Sequence, residues 1–158
     1  MNRTLVKTGL WLSTTLATAA FAFAGGQGPQ TEKGEQILSN ACLVCHDTRP
    51  IDTQALDADG WKKIVDSMIE KGAQVKKDDI PVFVEYLVRK HGPLPNGAGK
   101  AIVLNVCTMC HDLERIRAQA STRDEWEDIL QSMLNEGASL SDDDFSVVLN
   151  YLARNFKP

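Results

Sequence analysis

Apolar residues along most of the chain return at three- and four-residue intervals, the period of a helix with one buried face. Trp61, Ile64, Val65 and Met68 stand at i, i+3, i+4 and i+7, and Trp126, Ile129, Leu130 and Met133 repeat that stripe. Shorter stripes of the same period run through Ile37, Leu38 and Ala41 and through Val84 and Leu87. Their matches are Ile102, Val103 and Val106, and Leu149 and Leu152. No segment alternates with the two-residue period of a strand, so the expected fold class is all-α.

The stripes are related by a fixed offset. Cys42 and Cys107, Trp61 and Trp126, and Met68 and Met133 each lie 65 residues apart. The register holds without a gap from Gly34/Gly99 to Pro93/Pro158, with 24 of 60 aligned positions identical. A duplicated unit accounts for this. Each unit reads as three helices. The first covers 34–45 or 99–110, and an irregular stretch follows over 47–58 or 112–121. The second starts near Asp59 or Thr122, where Thr122-Arg123-Asp124-Glu125 is a capping box, and stops at Gly72 or Gly137. The third opens at Asp78-Asp79 or Ser141–Asp144, accepts Pro81 in its first turn, and ends at Gly92-Pro93 or near Pro158. Residues 91–99 are rich in Pro and Gly and read as a short linker. The expected units therefore cover 25–93 and 94–158 and lie close enough to touch.

The two units hold every cysteine in the chain, as Cys42-Leu43-Val44-Cys45-His46 and Cys107-Thr108-Met109-Cys110-His111. C-x-x-C-H is the attachment signature of a c-type haem: both thiols add to the vinyl groups and the adjacent imidazole binds the iron. Two copies predict two covalently bound c-type haems, attached through Cys42, Cys45, Cys107 and Cys110, with His46 and His111 as proximal ligands. A thioredoxin-like pair belongs near a βαβ pattern, which the helical flanks do not provide. A four-cysteine zinc site spaces its pairs by roughly 15–20 residues, far less than the gap from Cys45 to Cys107. Disulfides within each pair leave the histidine unexplained twice. A unit of about 65 residues is small enough that its core needs a staple, which a tethered apolar disc supplies. The chain without haem is accordingly expected to fold poorly.

Beyond the proximal pair, the mature chain offers His91, Met68, Met109 and Met133 as further axial ligands. Met109 sits inside its own attachment motif and is badly placed to reach the opposite face. His91 is matched by Phe156, so it cannot serve a duplicated role. Met68 and Met133 match each other, each seven residues after a tryptophan and each followed by Gly-Ala, and are the expected distal ligands. His91 as a second imidazole on the first haem stays open. Trp61 and Trp126 are expected in the core, and Tyr86 and Tyr151 either pack or reach a haem propionate.

With these residues in place, the chain resembles a dihaem class I c-type cytochrome over nearly all of its mature length. Trp-x6-Met-x3-Gly-Ala followed by Tyr-Leu (Tyr86-Leu87, Tyr151-Leu152) is similar to small cytochrome subunits of periplasmic dehydrogenases, including those of sulfite dehydrogenases, and to the haem domain of quinohemoprotein amine dehydrogenase. The last resemblance implies that one haem could be bis-His. The family implies a carrier of single electrons between a dehydrogenase and a downstream acceptor, or an electron-transfer subunit of the dehydrogenase, and not an enzyme in itself. A dihaem peroxidase needs a larger chain and a vacant haem face. A haem-based gas sensor needs an output domain that the length leaves no room for.

Targeting and charge narrow the setting. Arg3 and Lys7, the apolar run from Leu10 to Phe23 and Ala22-Phe23-Ala24 form a secretory signal with its cleavage site, and the run falls short of the roughly 20 residues that span a bilayer. Residues 1–24 are expected to be removed and the rest to reside in the periplasm. The remainder carries 15 basic residues, 17 less Arg3 and Lys7, against 21 acidic ones, a net charge of −6. That balance disfavours nucleic acid and anionic lipid as partners and suits a redox protein with a basic docking patch.

Overall fold

The structure is a computed structural model that describes residues 28–158. The expected signal peptide, residues 1–24, lies outside the described residues. Every regular element among the described residues is helical, in agreement with the all-α expectation. Four helices form the first repeat: α1 (Pro29–Ile37), α2 (Arg49–Asp52), α3 (Ala58–Glu70) and α4 (Ile80–His91). Four more form the second: α5 (Lys100–Val106), α6 (Glu114–Arg117), α7 (Arg123–Asn135) and α8 (Asp142–Asn155). The bounds of α2 and α3 map onto those of α6 and α7 at the same 65-residue offset.

Local chemistry fixes the long helices. Thr122 accepts from the Glu125 N–H while the Glu125 carboxylate accepts from the Thr122 N–H, so the expected capping box closes α7. On α3 the cap is Asp57 and not Asp59; its carboxylate accepts from the Gly60 N–H at 2.8 Å. Both helices end in the same Schellman turn. Gly72 and Gly137 take φ of +107° and +102°, and the following alanine N–H returns to the carbonyl of Met68 or Met133, at 2.9 Å in both.

Each unit is closed by one tryptophan. The Trp61 indole N–H donates to the His91 carbonyl at 3.1 Å, and Trp126 donates to the Phe156 carbonyl at 2.9 Å. The same two carbonyls accept from the N–H groups of Leu56 and Ser121. Bonds of this kind satisfy carbonyls that a helix end leaves without a partner. Both tryptophans are buried, as expected of core residues.

The first helix of each unit lies against the last. A Cβ on Gly34 would run into the Tyr86 ring, and one on Gly99 would strike Tyr151. The tyrosines are packing residues here, and the Tyr151 hydroxyl already donates to the Pro95 carbonyl at 2.7 Å.

Three differences from the sequence reading have plain causes. The first helix, expected from residue 34, begins at Pro29, whose fixed φ suits a first turn, and Thr31 is buried. The stretches after each histidine contain α2 and α6, four residues each, too short to show a period. Leu94, in the expected linker, is 2% exposed within the core of the second unit.

Candidate functional site

In the first unit α3 turns Trp61, Val65 and Met68 inward, α4 contributes Phe83 and Leu87, and the stretch after Cys42 contributes His46, Pro50 and Ile51. Together with Cys42 they line a cavity of about 260 Å3 with mostly apolar walls. This is near the lower end of the roughly 300–1,000 Å3 usual for ligand sites. The cavity opens to solvent.

Three of the four residues named for the first haem thus share one wall system, and Cys45 is exposed beside it. His46 Nδ1 lies 2.7 Å from the Asp47 carbonyl, and His111 Nδ1 lies 2.8 Å from the Asp112 carbonyl. A proton on Nδ1 satisfies that contact and leaves Nε2 with its lone pair, the tautomer that a metal-binding imidazole needs. The residues present therefore fit a haem in the first unit in donor set and in wall polarity.

The second unit repeats the histidine contact but not the cavity. Ile116, Trp126, Leu130, Val148 and Leu152 pack into a buried cluster with Cys107 and Ile129 against it. His111 and Cys110 line a cleft of about 300 Å3 shared with Asp47, Arg49 and Asp52 of the first unit. Met133 is half-buried and does not line that cleft. The structure brings Cys42, His46 and Met68 together, and does not bring His111 and Met133 onto one cavity wall.

The remaining candidates are placed as follows. Met109 is 72% exposed, pointing away from the core. His91 lies edge-on to Trp61 with ring centroids 6.0 Å apart, and its Nδ1 is 3.8 Å from Asp52 Oδ1; it does not line the cavity that holds His46. None of the four cysteines is in a disulfide. Burial, then the neighbouring Cys45, pushes the Cys42 thiol up, and burial pushes Cys107 up. No group of three or more His, Cys, Asp or Glu side chains among the described residues is arranged to hold a metal ion.

Sequence reasoning missed the lining role of Pro50 and Phe83, and it missed the cross-unit contacts of Arg49 and Leu113. The repeat alignment could have flagged them, because Pro50, Phe83, Arg49 and Leu113 all differ from their counterparts. Comparison with family models, curated proteins and solved structures returned no significant match.

Proposed function

We propose that the chain is an exported dihaem c-type cytochrome that carries single electrons between a periplasmic dehydrogenase and a downstream acceptor, free or as a subunit of that dehydrogenase. The observation that carries this reading is the convergence of Cys42, His46 and Met68 on one apolar cavity, from motifs identified separately. The two C-x-x-C-H motifs extend it to a second haem through Cys107, Cys110 and His111, with Met133 as distal ligand.

When bound, haem supplies a one-electron iron couple whose potential a thioether ligand raises relative to a second imidazole. The chain's own residues do the rest. Asp47 and Asp112 carbonyls orient the imidazoles, and the Schellman turns anchor the helix ends that carry Met68 and Met133. Apolar walls from Trp61, Val65, Phe83 and Leu87 keep water from one side of the first site. If His46 and Met68 both held the iron, none of its positions would be left for peroxide, which favours a carrier over a peroxidase. The described helices include none long and apolar enough to cross a membrane.

The test is haem content and spectrum of the protein matured in a periplasm. Two covalent haems per chain are expected. A weak long-wavelength sulfur-to-iron band should shrink in Met68→Ala and in Met133→Ala and vanish in the double variant. Fewer than two haems per chain would overturn the reading.

A further inference from the structure

We propose that Gln54 holds a carboxylate of the haem in the first unit, its side-chain N–H donating to that carboxylate. The proposal rests on the haem reading above, and on its first site only. Gln54 stands two residues past the end of α2, is half-buried, and lines the same cavity as His46 and Met68. The other polar groups on that wall are already engaged. His46 Nδ1 faces the Asp47 carbonyl, which leaves Nε2 for iron, and the Trp61 indole N–H donates to the His91 carbonyl. Cys42 is assigned to the attachment bond. Tyr86, which the sequence left as a residue to pack or to reach a propionate, packs beside Gly34 and does not line the cavity.

The second repeat shows what the same glutamine does where no cavity faces it. Gln119 Nε2 donates to the Ser121 hydroxyl at 2.5 Å. Ser121 is matched in the first unit by Leu56, which has no side-chain acceptor and packs against the apolar cluster there. Gln54 accordingly makes no such bond, and its amide has no hydrogen-bonding side chain to meet among the described residues that line the cavity beyond His46. One exchange, leucine for serine, thus frees the amide in the unit that keeps a cavity and engages it in the unit whose centre is filled.

A haem is an apolar disc with two carboxylates on its edge. An ionised carboxylate only accepts hydrogen bonds, and a glutamine amide offers two N–H donors. No Lys, Arg, Asp or Glu lines the cavity, so a neutral donor is what the chain presents to that edge. The carboxylates nearest in sequence are turned elsewhere: Asp52 lies beside His91, and Asp57 accepts from the Gly60 N–H. A hydrogen bond to the charged form holds a carboxyl pKa down, whereas a carboxyl left against apolar walls titrates higher. Gln54 is therefore a positioning residue that fixes one edge of the haem and keeps its carboxylate ionised.

The experiment follows the haem carboxyls directly. Haem isotopically labelled at its carboxyl carbons is attached in a periplasm, and the carbon resonances of the reduced, diamagnetic protein are titrated with pH. In Gln54→Leu one carboxyl should titrate higher by about one pH unit. Gln54→Glu, which replaces the donor by a like charge, should raise the same carboxyl further, and Gln54→Lys, a donor with a positive charge, should lower it. Gln119→Leu should leave that carboxyl where it is. If Gln54→Leu fails to retain the first haem, the opposite signs of the Glu and Lys shifts decide the matter. The proposal is overturned if no carboxyl moves, if the three variants shift one alike, as a packing role would, or if all three lose the first haem. A wild-type chain without haem on Cys42 and Cys45 overturns the haem reading and this proposal together, whereas a bound haem whose carboxyls ignore residue 54 overturns this proposal alone.

Discussion

The first unit keeps an apolar cavity of about 260 Å3 behind Cys42, His46 and Met68, whereas the second packs ten buried residues into one cluster against seven in the first. The two share the bounds of α2/α6 and α3/α7, the glycine stops and the tryptophan closures, whereas the first and last helices differ: at the same offset α1 and α4 would fall on 94–102 and 145–156, and α5 and α8 run Lys100–Val106 and Asp142–Asn155. Side chains differ as well: Phe83 is matched by the smaller Val148, Pro50 by Arg115 and Val65 by the larger Leu130. Two copies of one fold thus show what the fold alone demands, which is the Gly–Tyr helix contact and the capped Met helix, and what is left free, which is how much of the centre is filled by protein.

The largest test of that contrast removes one attachment site at a time. Cys42→Ala/Cys45→Ala should leave the first unit with its cavity unfilled and lower its stability. Cys107→Ala/Cys110→Ala should cost the second unit less, because its own side chains already close the core. Hydrogen exchange followed unit by unit reads this: protection should collapse across α3 and α4 in the first variant and survive in α7 and α8 in the second. Equal loss in both would mean that the cavity has no energetic role.

Much of this was legible in the residues. The stripe Trp61-Ile64-Val65-Met68 gave the face of α3, Thr122 and Glu125 gave the start of α7, and Gly72 and Gly137 gave both helix stops. Gly34 was read as a helix start, but it lies inside α1 because Tyr86 packs where its side chain would be. Helix α2 was hidden because four residues span barely one turn and carry no period. The seam was hidden for another reason: the Arg49 to Met109 contact joins residues 60 apart in sequence through one backbone carbonyl, and a carbonyl leaves no mark in a string of side chains. The pairing of His46 with Met68 on one cavity was expected from the sequence, but the absence of Met133 from the cleft of His111 was not.

Charge divides the units as well. Lys62, Lys63, Lys71 and Lys77 are exposed in the first unit, and the same positions in the second are Glu127, Asp128, Glu136 and Asp142, also exposed. Residues 58–79 hold five basic and five acidic side chains, while 123–144 hold one basic and eight acidic. These positions lie on or next to the helices that carry Met68 and Met133. A small cationic oxidant or reductant should therefore react with the second haem faster than with the first, by about tenfold at low salt, since a field of one sign raises local reagent concentration. The preference should fade as added salt shortens the Debye length to about 3 Å at 1 M. Glu127→Lys/Asp128→Lys/Glu136→Lys, which makes the second unit resemble the first, should abolish it. Stopped-flow traces with a ruthenium hexaammine complex supply the measurement, and equal rates at low salt would show that these charges do not steer.

The smallest effect concerns the one site residue whose counterpart cannot titrate. His91 is matched by Phe156, and both end the last helix of their unit with a carbonyl that receives the tryptophan indole. Burial holds the His91 imidazole below its ordinary value; Arg117 and Lys90 add to this, while Asp52 and Glu114 oppose it. The folded chain therefore binds this proton more weakly than the unfolded chain, whose histidine titrates near 6.5. The stability that neutral His91 contributes is present above that value and is lost as the pH falls through it toward the lower folded value. For this reason unfolding of the first unit should become easier as the pH falls below about 6.5. His91→Phe should reduce that slope, with Trp61 keeping its bond to the backbone carbonyl at residue 91. A pH slope that His91→Phe leaves unchanged would place the titrating group elsewhere in the first unit.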